Sequence, residues 1–177
     1  VALPFGDRQF DAVLCAEVLE HIPENQLAKA CSEIARVAKD KVVIGVPYRQ
    51  DLRCGRTTCQ SCGKSNPPWG HVNSFDEHRL KTLFSTLVLE RVSFVGASKA
   101  STNSLSVALL DYAGNPFGTW EQDEQCVYCG ASIGLPAERS LSQRLATRLA
   151  FILNKLQARF VTPRGNWIHV LFSKPPI

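Results

Sequence analysis

A chain of 177 residues and 19.5 kDa, with 45% hydrophobic and 20% charged residues, has the balance of a folded globular protein, which excludes disorder as its organising theme. No apolar run approaches the roughly 18 to 20 residues that a bilayer-spanning helix needs, and the start carries no basic-then-apolar leader pattern, so neither membrane insertion nor export is expected. The net charge of +4 is too small to indicate a nucleic-acid partner by itself.

The first eleven residues hold turn chemistry (Pro4, Gly6, Asp7), and Phe10 to Ala16 then reads as a short buried strand, apolar on both faces as parallel strands are. Pro23 suits the first turn of a helix, and Leu27, Ala30, Cys31, Ile34, Val37 and Ala38 recur at helical spacing up to the charged cluster Lys39-Asp40-Lys41. Lys41 to Pro47 is a second apolar strand. Strand, helix and strand with short connections predict a right-handed unit and a parallel sheet at this point. Residues 48–73 have no periodicity and read as an insertion. Ser74, with Glu77 three residues on, predicts a helix start, and Leu80, Leu83 and Phe84 mark its apolar face. Leu87 to Gly96 alternates as a strand, and a short helix is expected near Leu105 to Tyr112. Glu138 to Phe160 predicts a long amphipathic helix with Leu141, Leu145, Leu149, Ile152, Leu156 and Phe160 on one stripe. Trp167 to Phe172 closes the chain as a last strand.

Four of the seven cysteines form two C-x-x-C-G frames, Cys59 to Gly63 and Cys126 to Gly130. Each frame sets two thiolates on one side of a tight turn, and the glycine allows the positive φ that points amides at sulfur. Two such knuckles make the four-sulfur set of a structural zinc ribbon, so zinc on Cys59, Cys62, Cys126 and Cys129 is expected, with a Cys54, Cys59, Cys62, His71 set as the rival. Cys15 and Cys31 lie in apolar surroundings and read as small buried hydrophobes.

The run Leu3 to Asp7, Phe10 to Val13, Glu17 to Ile22, Glu33 to Val37 and Val42 to Pro47 resembles, in order and spacing, the C-terminal half of class I S-adenosylmethionine-dependent methyltransferases of the type 11 group. A weaker echo continues through Gly70 to Phe75, and Trp167 to Phe172 looks like that fold's antiparallel last strand. The resemblance implies an α/β class, a partial Rossmann-like doubly wound sheet. The expected organisation is one methyltransferase-like domain over 1–177, interrupted by insertions at 48–73 and 113–134 that form the zinc ribbon. It implies transfer of a methyl group from S-adenosylmethionine to an unidentified acceptor. The glycine-rich strand and turn of the family and its ribose-holding acid are not found in this sequence. Since residue 1 is Val and the chain has no Met, the cofactor cradle is expected mostly upstream of Val1.

By position in the family pattern, Ala2 and Leu3 lie on the adenine side, and Cys15 and Ala16 on the side of the reacting methyl. Glu17 and His21 face the acceptor as catalytic residues. The cluster Glu17, Glu20, His21, with His71 as a further ligand, also resembles a divalent-metal site of some O-methyltransferases, although in many metal-free relatives these side chains only pack the crevice. The segment from Glu138 to Lys174 sets seven basic residues against the single acid Glu138. Its helix, 138–160, reads in two ways, as a solvated outer face, the commoner cause of such a charge run, or as a surface for an anionic membrane or a polyanion. A cytoplasmic location, peripheral to a membrane, follows as an expectation. The alternative function is a noncatalytic zinc-ribbon partner subunit on a truncated methyltransferase scaffold.

Overall fold

The computed structural model describes residues 2–115, 125–133 and 138–175. The chain forms two compact units, one of Val1–Gln50, Val72–Ser98 and Arg164–Ile177, the other of Asp51–His71 and Lys99–Pro163.

In the first unit, β1 (Phe10–Ala16) leads into α1 (Glu24–Val37), and α1 runs directly into β2 (Ala38–Pro47). β1 and β2 are parallel, with Val13 opposite Val42 and Cys15 opposite Ile44, as the two apolar runs predict. β6 (Trp167–Ser173) pairs antiparallel with β2, and β5 (Val88–Val95) pairs antiparallel with β6, giving the order β1-β2-β6-β5. β1 forms one edge of this sheet among the described residues. Val42, Ile44 and Val46 of β2 and Ile168, Val170 and Phe172 of β6 point to one face. There they meet Leu27, Cys31, Ile34 and Ala35 of α1 and the side chains of Phe75, Leu80 and Phe84. Burial of these residues, each stabilising by about 1.5–3 kcal/mol, supplies most of the unit's cohesion.

In this unit the start of β2 and the cap of α2 differ from the sequence reading. β2 begins at Ala38 instead of Lys41, because Ala38 pairs with Phe10 and the Asp40 carbonyl accepts from the Lys174 amide, so exposed Lys39 and Asp40 belong to the strand. α2 (Glu77–Leu83) is capped by Asp76, whose carboxylate accepts from the Arg79 amide at 2.9 Å, and Ser74 does not cap it. Phe75 is held extended by its bridge to Tyr48, which carries the chain past Ser74 before the helix can start.

In the second unit, a small hairpin of β3 (Thr57–Thr58) and β4 (Ser65–Asn66) carries the first cysteine knuckle at its turn. α3 (Ser104–Tyr112) and α4 (Leu141–Gln157) pack side by side, joined by Ser106 Oγ to the Ala150 carbonyl, Tyr112 to Ser142, and Asn103 to Gln157. α4 starts at a capping box, Ser140 with Gln143, at the first residue of its apolar stripe, so the helix is three residues shorter at each end than the expected span of Glu138 to Phe160. Of the expected insertion at 113–134, residues 116–124 and 134 lie outside the described residues.

Candidate functional site

Two constellations carry chemistry, one in each unit. In the first unit, β1 delivers its last side chains to the carboxyl end of the parallel pair. The Glu17 amide continues the ladder by donating to the Gly45 carbonyl at 2.9 Å, but Glu17 itself has φ +54°. A non-glycine residue in this left-handed region costs energy and re-aims its side chain, and such strain gathers at functional sites. Glu17 Oε2 accepts from Trp167 Nε1 of β6 at 3.1 Å. Beside it, Gly45 leaves room for His169. A Cβ there would lie 3.0 Å from the His169 ring and 3.3 Å from Ala16 Cβ.

A short helical turn over Leu19–His21 follows. Asn73 fixes it, its side-chain amide donating to the Leu19 carbonyl at 3.0 Å and the Ile22 carbonyl at 2.6 Å, while the Val72 and Asn73 amides donate to the Glu20 carbonyl. His21 stands exposed at its end, whereas Glu20 is wholly buried and neither of its carboxylate oxygens has a hydrogen-bond partner. Burial, with the charge of Glu17 adding to it, pushes the Glu20 carboxyl up to about 7. Burial likewise pushes the Cys15 thiol up to about 11 and the Cys31 thiol up to about 12, so both cysteines are inert apolar fillers.

Leu3, Cys15 and Ala16, three of the residues expected at the cofactor, line a cavity of about 470 Å³ together with Val13, Leu14, Val18, Ile22, Ala30 and Ile34. Ala2 is exposed and lies outside that lining. The Leu3 segment is tied to α1 by Glu33 and Arg36. Glu33 accepts from the Leu3 amide at 2.8 Å, and Arg36 reaches the Leu3 and Phe5 carbonyls and the Asp7 carboxylate. The Arg36 guanidinium and the Leu3 amide hold the Glu33 carboxyl down to about 2. The cavity's nine lining side chains are all apolar. They would suit a flat apolar ring such as adenine and offer no charged or hydroxyl partner to a ribose or an amino-acid carboxylate.

In the second unit the structure brings together the four thiols of the two knuckles. Cys59 and Cys129 Sγ lie 3.8 Å apart and Cys62 and Cys126 Sγ 3.7 Å apart, and all four sulfurs fall within 4.8 Å of one another. Tetrahedral zinc with Zn–S bonds of about 2.3 Å separates neighbouring sulfurs by about 3.8 Å, the spacing of the Cys59–Cys129 and Cys62–Cys126 pairs, so this donor set fits the ion. The two turns are alike: the Gly63 amide donates to the Cys59 carbonyl and the Gly130 amide to the Cys126 carbonyl, both at 2.8 Å, and both glycines have φ near +70°. Backbone amides of Cys62 and Ser61 aimed at its sulfur hold the Cys59 thiol down to about 6. Cys54 and His71, the rival ligands, are not part of this cluster; the His71 ring is buried and stacks on Trp69 with centroids 5.9 Å apart.

Two asparagines that no motif announces hold the cluster's frame. Asn66 Oδ1 accepts from the Val127 amide at 2.9 Å, joining β4 to the second knuckle. Asn115, at the end of α3, donates to Thr58, Ser65 and Asp111.

Residues 1–44 match the family model described as "Methyltransferase domain", a span that runs from the Leu3 segment through β1 and α1 into β2. No curated protein matches the chain. Among solved structures it is similar to a candidate methyltransferase from Bacillus halodurans C-125, with 13% identity over 98% of this chain and 74% of that one and a TM-score of 0.52. It is also similar to a SAM-dependent methyltransferase from Archaeoglobus fulgidus, with 14% identity over 96% of this chain and 62% of that one and a TM-score of 0.44. A third similar structure is the cyclase SpnF, with 14% identity over 98% of this chain and 53% of that one and a TM-score of 0.46. The chain thus spans between about half and two thirds of the last two proteins. It has the Rossmann-like α/β fold of the class I methyltransferases, with a four-cysteine cluster set into it.

Proposed function

We propose that the protein transfers a methyl group from S-adenosylmethionine to an acceptor, and that a longer form of the chain supplies the polar part of the cofactor cradle. The match of residues 1–44 to the methyltransferase domain carries this reading. The edge of β1 supports it. A parallel sheet is ordinarily covered on both faces by helices, yet Leu14 of the edge strand β1 is 72% exposed and opens onto an apolar cavity, a surface that further elements of a doubly wound sheet would cover. The cofactor supplies an electrophilic methyl on a cationic sulfonium, and the protein's task is chiefly to position the acceptor in line with it. Glu17, aimed by Trp167, and His21 are the side chains proposed to orient the acceptor. Either can take a proton from an acceptor hydroxyl or amine, at Glu17 Oε1 or on the His21 ring.

We also infer that Cys59, Cys62, Cys126 and Cys129 hold a structural zinc ion, a role supported by the sulfur spacing and by the four thiolates, which leave no open position for chemistry.

The test is incubation of an N-terminally extended chain with methyl-labelled S-adenosylmethionine and separated lipid, small-molecule, protein and nucleic-acid fractions. Label entering one fraction, and falling about 10²-fold or more with Glu17→Ala or His21→Ala at unchanged cofactor affinity, supports the reading. No transfer into any fraction contradicts it.

A further inference from the structure

We infer that the outer face of α4 docks the protein on an anionic membrane surface. α4 seats against α3 through a narrow face of small side chains, Ala146, Thr147 and Ala150. Its larger apolar residues point the other way. Leu141, Leu145, Leu149, Ile152 and Leu156 recur at steps of three and four, which puts them on one stripe, and each is between 45% and 78% exposed. An ordinary surface helix turns its leucines inward, so five leucines and isoleucines facing out along 17 residues form a patch that calls for an occupant.

The charge beside the patch identifies that occupant. At 100° per residue, Arg144, Arg148 and Lys155 fall on the strip immediately flanking the apolar stripe, and all three are exposed, as is Arg159 just past the helix end. From Arg139 to the end of the chain there is no acidic residue. A protein partner would need acidic groups placed opposite each cation, whereas a bilayer with anionic headgroups meets the whole row at once. The helix then lies in the interface plane, with leucines among the acyl chains and the long basic side chains reaching up to the phosphates. No helix of the described residues is long and apolar enough to cross a membrane, which fits contact with the surface. The inference is independent of the methyl-transfer reading.

Flotation of the full chain with vesicles tests it, using phosphatidylcholine alone and phosphatidylcholine with about 30 mol% phosphatidylglycerol. Binding is expected only to the anionic vesicles. The pair Leu145→Glu and Leu149→Glu should lower the bound fraction about tenfold or more, and so should the pair Arg144→Glu and Arg148→Glu, at about 1 kcal/mol per cation lost. All four positions are exposed, and unchanged melting temperatures show that the variants fold. Absence of binding, equal binding to both vesicle types, or binding kept when the two leucines are replaced, as for a purely ionic polyanion contact, would overturn the inference. So would a dimer in sedimentation that Leu149→Glu alone converts to a monomer without any change in flotation, since the stripe would then be covered by a second copy.

Discussion

Trp167 Nε1 donates to Glu17 Oε2 at 3.1 Å, a hydrogen bond between residues 150 positions apart that links the end of the parallel strand β1 to the start of the antiparallel strand β6. Both groups are partly open to solvent, so the bond adds only about 0.5–1.5 kcal/mol to stability and its consequence is orientation. Trp167→Phe keeps the ring and removes the donor. The expected outcome in the extended chain is a several-fold fall in labelled methyl transfer with a loss of less than about 1 kcal/mol in denaturant unfolding. Unchanged transfer would mean that Glu17 is aimed by its own backbone alone.

Glu20 gives the fold a pH dependence of definite sign. Its carboxyl is raised to about 7 in the folded chain, so between its ordinary value of 4.5 and 7 the unfolded chain releases a proton that the folded chain keeps. The stabilisation is complete below about pH 4.5, is lost as pH rises through 7, and amounts to at most about 3 kcal/mol. Glu20→Gln removes the titration while keeping the shape. Measured by urea unfolding from pH 4.5 to 8, the variant should gain on the native protein steadily and be the more stable of the two at pH 8; a constant difference across that range would contradict the assignment.

Asn73 is 2% exposed and holds the turn that presents His21, donating to two carbonyls and accepting from Arg79 Nη2 at 3.1 Å. Asn73→Ala strands buried carbonyls and should cost about 2–4 kcal/mol. Asp76→Ala, which removes the α2 cap and a long, largely exposed ion pair with Arg49, should cost about 1 kcal/mol. Unfolding curves on the two variants check the order; equal losses would mean that the clip carries no more than a cap does.

The purified chain should contain about one zinc ion per molecule. Its binding requires all four thiolates, so Cys126→Ser should lose most of the metal, and a chelator should lower the melting temperature of the native protein while leaving that variant unaffected. Full occupancy in a chain with Cys126 and Cys129 both replaced would contradict the four-cysteine centre.

What the sequence discloses here follows the range of the forces involved. α1 reads directly because it buries one periodic face, β1 and β2 read as strands from their continuous apolar runs although β1, expected to be buried, keeps only Cys15 buried and leaves Leu14 open, and the paired C-x-x-C-G frames read because thiolate spacing on a tight turn is local chemistry. The strand residues Lys39 and Asp40 do not read, since the pairing of Ala38 with Phe10 and the hydrogen bond from the Lys174 amide to the Asp40 carbonyl outweigh their charge. Asp76 replaces Ser74 as cap because the Tyr48 bridge, a tertiary contact, sets where the helix can begin. The Trp167 to Glu17 bond, the Asn73 clip and the Asn66 and Asn115 staples join distant segments through single polar side chains, which leave no periodic trace. The burial of Glu20 has no local signal either. In α4 the periodicity correctly predicts a helix, but only the packing on α3 reveals that its leucine stripe faces outward.

The claim of S-adenosylmethionine-dependent methyl transfer is tested most directly by titration calorimetry with that cofactor on two chains, the 177 residues described and the same chain extended at its N-terminus. The apolar wall of Leu3, Cys15 and Ala16 contributes contact but no partner for the ribose or carboxylate, so the shorter chain should bind weakly or not at all and the extended chain should bind in the micromolar range or tighter, about −8 kcal/mol. Tight binding by the shorter chain, or none by the extended one, would contradict the account.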